Sequence, residues 1–262
     1  MKILLCFVFL ILLGSCGTNK KAANNKVKQD HMILATLWIQ TAAEVRALSY
    51  QAFNLAKERL TYDLKRKRRG KKRAVVLDID ETVLDNSPYQ AQGIMDNTAY
   101  PTGWSDWVSR AEAKPLAGAK EFLQFAKSKG VEIFYISNRK VRGLDATYKN
   151  LKGLGLPVKR ENLLLRDKDK SKKSRRSKVL KNYRIVFLMG DNLGDFTELF
   201  DGKDLKEREL LVDRRSQEFG RRFIVLPNPM YGDWEGAVYK YNYRQSLLEK
   251  ENLRKTNLRT IR

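Results

Sequence analysis

Four short apolar runs constrain the fold of this chain most strongly, because each is strand-like and each is followed by polar residues. The runs occupy residues 74–77, 131–136, 184–189 and 223–226. Segments with apolar residues at helical spacing separate them, for example residues 117–129 and 145–154. Apolar strands that alternate with helices predict a doubly wound α/β fold, in which helices cover both faces of a mostly parallel sheet.

The polar residues that follow these runs are expected to meet at one edge of the sheet. They are Asp78, Ser137 with Asn138, Asp191 and Asn228. Ligands of open parallel sheets bind beyond the carboxyl ends of the strands. The sequence therefore predicts a functional site that four separate strands build together.

The segments around this core have different compositions. Residues 29–64 carry apolar side chains at helical spacing, which predicts one long helix or two. In residues 65–73, eight of nine side chains are Lys or Arg. Such a block is not expected to pack, so we assign residues 29–73 to an N-terminal helical region with a basic block, and residues 74–240 to the core.

An insertion and a tail complete the predicted organisation. Residues 87–115 interrupt the alternation of strands and helices, and they include Pro88, Pro101, Trp104 and Trp107. We expect this segment to form a small helical cap over the site. Residues 241–262 are expected to form a C-terminal helical tail.

The N-terminus resembles an export signal. Lys2 precedes an apolar run of about ten residues, which is too short for a spanning helix. The sequence Leu-Gly-Ser-Cys ending at Cys16 resembles a bacterial lipobox, which predicts cleavage of residues 1–15 and acylation of Cys16. Residues 16–28 would then form a flexible tether. The predicted location is a membrane lipoprotein of the bacterial cell envelope, with the outer membrane favoured, facing outside the cytoplasm. An ordinary cleaved signal is the alternative.

Charge and histidine content limit the classes of function. The formal net charge of +22 attracts polyanions such as phosphorylated substrates, nucleic acid or an anionic membrane. The basic segments at residues 65–73 and 166–178 lack interleaved aromatic residues, so no dedicated nucleic-acid partner is predicted. His31 is the single histidine and precedes the predicted core, which argues against histidine catalysis.

The residues at the predicted strand ends suit phosphoryl transfer. Asp78 can attack phosphorus as a carboxylate nucleophile, and Asp80 can exchange a proton with the leaving group and with water. Asp191 and Asp195 offer further carboxylates, so that Mg²⁺ could bind beside Asp78. Ser137 and Asn138 can donate hydrogen bonds to phosphoryl oxygens. A nearby lysine is needed to offset the negative charge, and the candidates are Lys170, Lys172 and Lys173.

These motifs together resemble the haloacid dehalogenase superfamily. Residues 77–89, with the sequence LDIDETVLDNSPY, narrow the resemblance to the class C acid phosphatases, which are bacterial lipoproteins of the 5′-nucleotidase type. The resemblance extends over roughly residues 30–240. Its further motifs lie at residues 137–140, 169–173, 190–193 and 231–236.

The resemblance implies a role for each matching residue. Asp78 would be the nucleophile and Asp80 the acid/base. Mg²⁺ would be held by Asp78, the Asp80 carbonyl and Asp191, with Asp195 supporting the metal waters. The lysine motif of the family selects Lys173 as the catalytic lysine. An aromatic ring of the substrate would be clamped between Trp104 and Tyr231.

The predicted function is therefore that of a Mg²⁺-dependent acid phosphatase, a phosphoric monoester hydrolase. Its predicted substrates are nucleoside 5′-monophosphates, and its predicted membrane contact is a lipid anchor. Two alternatives stay open: a broad-specificity phosphatase without nucleotide preference, and a polyanion-binding surface lipoprotein.

Overall fold

The computed structural model of the protein describes residues 29–66 and 70–261. The predicted signal peptide, the acylated Cys16 and the tether all lie outside these residues. Within the described part, none of the helices is both long enough and apolar enough to cross a membrane.

A five-stranded parallel sheet forms the centre of the protein. Its strands are β1 (Lys72–Leu77), β4 (Glu132–Lys140), β5 (Leu163–Arg166), β6 (Tyr183–Gly190) and β7 (Phe223–Val225), in the order β5-β4-β1-β6-β7. All four neighbouring pairs are parallel. The four apolar runs are thus confirmed as strands. The edge strand β5 was not predicted, because four residues are too few to separate a strand from a helical turn by periodicity.

Helices cover both faces of the sheet, as the doubly wound fold predicts. They are α1 (Ile33–Thr41), α2 (Ala43–Lys65), α3 (Ser87–Met95), α4 (Trp104–Arg110), α5 (Ala119–Ser128), α6 (Leu144–Gly153), α7 (Lys173–Asn182), α8 (Leu205–Arg214), α9 (Asp233–Val238) and α10 (Leu247–Thr256). The N-terminal region contains two helices rather than one, because Ala42 has an extended backbone with ψ 126°.

The hydrophobic core has two layers that the central strand separates. Successive side chains of a strand point to opposite faces of its sheet. Accordingly, Val75 and Leu77 of β1 pack with the buried residues of α2, α5 and α6, whereas Ala74 and Val76 pack with Val179 of α7. All of these side chains are buried, so β1 is covered on both faces.

The end of the basic block differs from its prediction. Strand β1 begins at Lys72, two residues before the expected boundary of the core, and pairs there with Tyr183 of β6. The Arg73 guanidinium lies 2.7 Å from the carboxylate of Asp63 on α2. Lys72 and Arg73 therefore belong to strand β1, although Lys72 is exposed and Arg73 half-buried. The carboxylate of Asp63 compensates the charge of Arg73.

The predicted cap segment leaves the core through a short antiparallel ladder. Strand β2 (Leu84–Asp85) pairs with β3 (Lys114–Pro115), and helices α3 and α4 lie between them. Helix α3 carries Pro88 in its first turn, where a missing backbone N–H costs little. The segment therefore starts and ends at one place on the core, which is the geometry of an insertion.

The predicted C-terminal tail contains helix α10. Ser246 caps its first turn: its hydroxyl accepts a hydrogen bond from the Glu249 backbone N–H at 3.2 Å, and the Glu249 carboxylate accepts one from the Ser246 N–H at 2.7 Å. This reciprocal pair is a capping box, which fixes where the helix begins.

Candidate active site

The turn after β1 brings two aspartates to the carboxyl edge of the sheet. Asp78 directly follows the strand, and its backbone N–H donates to the carbonyl of Met189 on β6 at 2.9 Å. The chain then reverses, because the N–H groups of Val83 and Leu84 both donate to the carbonyl of Ile79, at 2.9 and 2.8 Å. Asp80 lies inside this tight turn. The loop geometry is therefore fixed by backbone hydrogen bonds rather than by the aspartates themselves.

A buried lysine bridges two carboxylates at this edge. Lys172 Nζ lies 2.7 Å from Asp78 Oδ1 and 2.6 Å from Asp195 Oδ1. Burial alone would lower the pKa of Lys172, but the charges of Asp195 and Asp78 raise it above its ordinary value. Lys172 is therefore a fixed cation beside the predicted nucleophile.

The prediction of Lys173 as the lysine beside the aspartates is corrected by these contacts. The side chain of Lys173 is 64% exposed, against 6% for Lys172, and its Nζ lies 3.0 Å from Glu198. Lys173 opens helix α7, and adjacent residues at a helix start point in different directions. Only one lysine of the run can therefore face Asp78, and a lysine-rich sequence does not reveal which one.

Three carboxylates form a candidate metal centre. Oxygen atoms of Asp78, Asp191 and Asp195 all lie within 4.8 Å of one another. The Asp191 carboxylate accepts hydrogen bonds from Thr82 Oγ1 at 3.2 Å and from Asn228 Nδ2 at 2.8 Å. These bonds orient Asp191 and leave carboxylate lone pairs for a cation.

The charge balance of this group fits a divalent cation. Burial raises the pKa of Asp78 to about 7, against the opposing effect of Lys172, and burial with repulsion from Asp195 and Asp78 raises the pKa of Asp191. Three carboxylates thus share the charge of Lys172, and a hard cation with oxygen ligands would compensate the remainder. The carboxylate of Asp80 is not part of the group, so ligation by Asp80 through its carbonyl stays a prediction.

Gly190, the last residue of β6, allows Asp195 to reach this centre. A Cβ atom at position 190 would lie 2.2 Å from Asp195 Oδ2, too close for any side chain. The same oxygen accepts a hydrogen bond from the Asn192 backbone N–H at 2.9 Å. The absence of a side chain on Gly190 thus makes room for the Asp195 carboxylate.

Asp80 has a separate set of partners. Its Oδ1 accepts hydrogen bonds from Arg139 Nε at 2.9 Å and from Asn86 Nδ2 at 2.8 Å, and its Oδ2 accepts one from Ser137 Oγ at 3.2 Å. Asp78 and Asp80 are therefore held by different groups, as two distinct chemical roles require.

Ser137 and Asn138 lie inside a strand rather than after it. Strand β4 continues to Lys140, with a register shift between Ser137 and Lys140. The Ser137 hydroxyl is buried and contacts Asp80, and Asn138 Oδ1 accepts a hydrogen bond from Arg175 Nη2 at 2.8 Å. Both residues are at the expected edge, and their binding of a phosphoryl group stays a prediction.

The two residues of the predicted clamp belong to different elements. Trp104 opens helix α4, where its ring packs edge-on against Tyr89 with centroids 5.0 Å apart. Tyr231 follows β7, in a turn where Asn228 Oδ1 accepts the backbone N–H of Tyr231 at 3.4 Å. Both side chains are half-buried. Their joint binding of a substrate ring stays a prediction.

Comparison with known proteins decides the family. A sequence model described as "HAD superfamily, subfamily IIIB (Acid phosphatase)" matches residues 15–234. The chain belongs to this family. The predicted family and fold class are thereby confirmed, and membership agrees with the predicted enzyme class.

A solved structure of this family supports the assignment. The class C acid phosphatase from Bacillus anthracis is 49% identical, with a TM-score of 0.86, over 89% of this chain and 98% of that chain. The same values hold for a second structure of that phosphatase with tungstate bound.

Two plant proteins are more distant relatives of this chain. Vegetative storage protein 1 from Arabidopsis thaliana is 30% identical over 168 residues, which are 60% of this chain and 54% of that protein. Acid phosphatase 1 from Solanum lycopersicum is 25% identical over 169 residues, which are 60% of this chain and 57% of that protein. The chain thus spans little more than half of these relatives' length.

Sequence reasoning missed two residues of this candidate site. Arg139 directly follows the predicted Ser137–Asn138 pair, so its position in the motif was the available signal. Asn86 precedes helix α3, a position where asparagine commonly caps a helix. A capping role would explain this asparagine, so the sequence gives no reason to expect a contact with Asp80. Yet no side-chain cap hydrogen bond forms at this helix start. The side chain of Asn86 is instead fully buried beside Asp80.

Proposed function

We propose that this protein is a phosphomonoesterase in which Asp78 is the nucleophile and Asp80 the acid/base. The observation that carries the proposal is the buried contact of Lys172 with Asp78 and Asp195, beside Asp191. A carboxylate nucleophile needs a cationic surrounding to accept an incoming phosphoryl group. Asp80 hydrogen-bonds to other residues and does not contact Lys172.

The proposed reaction has two displacement steps. In the first, an Asp78 carboxylate oxygen forms a bond to phosphorus while the bond from phosphorus to the ester oxygen breaks, and Asp80 gives its proton to that oxygen. In the second, water attacks phosphorus and Asp80 takes a proton from it, as the bond between Asp78 and phosphorus breaks. The alcohol and inorganic phosphate leave, and both aspartates return to their initial states.

Mg²⁺ is the proposed cofactor, with Asp78 and Asp191 as carboxylate ligands and Asp195 as their support. When bound, it would neutralise charge on the phosphoryl oxygens. Lys172 already offsets Asp195, whose second oxygen is engaged by the Asn192 N–H. A direct measurement of Mg²⁺ binding by calorimetry, with Asp191→Asn as the comparison, would test this assignment.

Nucleoside 5′-monophosphates are the proposed substrates. Stacking of a base on Trp104 or Tyr231 would contribute about 1–3 kcal/mol, by analogy with base stacking on aromatic side chains. The structure with tungstate, an oxyanion, belongs to a relative of 49% identity, which supports an oxyanion pocket here. We expect Trp104→Ala to reduce kcat/KM for nucleotides more than for a small phosphate ester. Equal losses on both substrates would leave a phosphatase without nucleotide preference.

A lipid anchor at Cys16 is proposed for the location in the cell envelope. The support is the lipobox-like sequence that ends at Cys16 and the polar segment after it. Cys16→Ser should abolish incorporation of labelled fatty acid into the protein, and unchanged labelling would remove the anchor from the proposal.

The central test compares phosphate release by the wild-type protein and Asp78→Asn with Mg²⁺. We expect the substitution to reduce kcat by several orders of magnitude, because the nucleophile is lost while the fold is retained. If the wild-type protein releases no phosphate from aryl or nucleotide esters at mildly acidic to neutral pH, the enzyme proposal fails. The polyanion-binding alternative would then account for the net charge of +22.

A further inference from the structure

Asn86 is a polar side chain next to the proposed acid/base, with hydrogen bonds at both ends of its amide. It has no exposed surface. Its Nδ2 donates to Asp80 Oδ1 at 2.8 Å, and its Oδ1 accepts from Trp107 Nε1 at 2.8 Å and from Arg139 Nη2 at 3.3 Å. A carboxylate at one end and N–H donors at the other define the orientation of the amide uniquely.

The partner on the cap is a tryptophan of helix α4. Trp107 lies one turn after Trp104 on this helix, and its indole N–H has Asn86 as its acceptor. Trp104 contacts a second residue of this network, since the Arg139 guanidinium carbon lies 5.6 Å from the centroid of its ring. Both tryptophans of α4 therefore contact a residue that holds Asp80.

These contacts make the two oxygens of Asp80 unequal. Oδ1 accepts hydrogen bonds from Asn86 and Arg139 Nε, and Arg139 Nη2 lies 2.8 Å from it as well. Oδ2 has the Ser137 hydroxyl at 3.2 Å. A carboxylate oxygen already surrounded by N–H donors has little room for a proton. Among the described residues, Oδ2 is therefore the Asp80 oxygen without an N–H donor.

We propose that Asn86 is a positioning residue that links the cap helix α4 to Asp80 and keeps Oδ2 directed toward the leaving group. The inference rests on the proposed function, since it concerns the acid/base of that reaction. The alignment of Asp80 thereby depends on the Trp107–Asn86 hydrogen bond between cap and core.

The backbone of Asn86 strengthens this link. Its N–H donates to Glu81 Oε1 at 2.8 Å, and Glu81 is itself buried in the turn that carries Asp80. Asn86 is thus fixed from the core side by its main chain, and its side chain joins the core to the cap. A side chain of another shape at this position would lose the Asp80 and Trp107 contacts together.

The test uses the dependence of rate on the leaving group. A nitrophenolate leaves without a proton, whereas the alkoxide of β-glycerophosphate needs one from Asp80. For Asn86→Ala we expect kcat/KM to fall about 100-fold on β-glycerophosphate, the lower end of general-acid contributions, and less than about tenfold on para-nitrophenyl phosphate. The ratio kcat/KM reports the first displacement, so the later hydrolysis of the phosphoryl-enzyme does not mask the difference.

Trp107→Phe provides a second variant that keeps the aromatic packing and removes only the indole N–H. It should show the same selective loss on β-glycerophosphate, to a smaller extent, and no additional loss in the Asn86→Ala background. Asn150→Ala is the matched control. Asn150 is another buried asparagine that holds the cap, through its bond to the Ala113 carbonyl at 3.0 Å, but it has no hydrogen bond to Asp80.

The outcomes separate the two proposals. A wild-type protein inactive on both esters removes the proposed function and this inference with it. An active wild type in which Asn86→Ala and Trp107→Phe lower both substrates equally, or in which Asn150→Ala gives the same selective loss, removes the positioning role alone. If Asn86→Ala does not fold, as judged by circular dichroism, Trp107→Phe decides.

Discussion

At the scale of single residues, Lys172 and Lys173 are neighbours in the chain with opposite environments. The side chain of Lys172 is 6% exposed between two carboxylates, whereas Lys173 extends toward Glu198 at the surface. A buried cation among carboxylates compensates charge that water cannot reach, while a surface ion pair contributes little. The two positions therefore form a matched pair for mutation.

We expect Lys172→Met to abolish most phosphatase activity and to lower the free energy of unfolding by about 3–5 kcal/mol, because it leaves buried carboxylates without their cation. Lys173→Met should keep wild-type kcat and stability. Phosphate release and urea denaturation measure the two effects. Activity lost in Lys173→Met and kept in Lys172→Met would contradict the assignment.

At the scale of elements, helix α2 is attached to the sheet by Asp63 near its C-terminal end. Asp63 Oδ1 accepts hydrogen bonds from Arg73 of β1 at 2.7 Å and from Arg184 of β6 at 2.5 Å. Burial would raise the pKa of Asp63, but the hydrogen bonds from Arg184 and Arg73 outweigh it and lower the pKa. One carboxylate thus joins three elements at the edge opposite the active site.

Asp63→Asn should lower the free energy of unfolding by about 2 kcal/mol, less than for a fully buried pair because both arginines are partly exposed. A lowered pKa in the folded state means that this stabilisation is present above the ordinary pKa of about 4 and is lost as pH falls through the folded value. The difference between wild type and variant, measured by urea denaturation, should therefore shrink below about pH 4. Glu207→Gln, which removes an exposed pair with Lys203, should have little effect.

At the scale of the whole molecule, a cluster of acidic side chains lies within a strongly basic protein. The net charge is +22, yet the carboxyl edge of the sheet concentrates Asp78, Asp191 and Asp195. A positive net charge attracts anions to a protein surface. At the edge itself, the carboxylates attract a cation.

Without metal, the raised pKa of Asp78 should make the folded protein less stable as pH rises. A carboxyl group with a raised pKa keeps its proton to higher pH in the folded state than in the unfolded state. For Asp78 the window runs from its ordinary pKa of about 4 to a pKa of about 7. The proposed Mg²⁺ would replace this proton, so we expect the increase in Tm on adding Mg²⁺ to be larger at neutral than at mildly acidic pH. At a Mg²⁺ concentration of about 100 times Kd, the added free energy of unfolding is about 2.7 kcal/mol.

Differential scanning fluorimetry with Mg²⁺ and with a chelator measures this increase at each pH. The comparison at fixed pH cancels the titration of groups remote from the site. Asp191→Asn should remove most of the Mg²⁺ effect. A Tm increase that is independent of pH in the wild type would contradict the proposed exchange of a proton for the metal.

Local patterns in the sequence were enough to predict the parallel sheet, the edge at which its polar strand ends meet and the aspartates that lie there. Apolar runs identify buried strands without reference to distant residues, and the order of strands and helices then restricts where their ends meet. The turn after Asp78 is local as well, because the N–H groups of Val83 and Leu84 both donate to the Ile79 carbonyl.

The other side chains of the candidate site depend on contacts between separate elements. Lys172 rather than Lys173 contacts Asp78, because the two side chains point in different directions at the start of α7. Asn86 hydrogen-bonds to both Asp80 and Trp107 of the cap. Arg73 pairs with Asp63 because α2 brings that carboxylate beside β1. Each of these contacts joins residues from separate elements, so its strength depends on distances that no local pattern contains. Charge and hydrogen-bonding partners, unlike hydrophobic periodicity, are properties of the assembled fold.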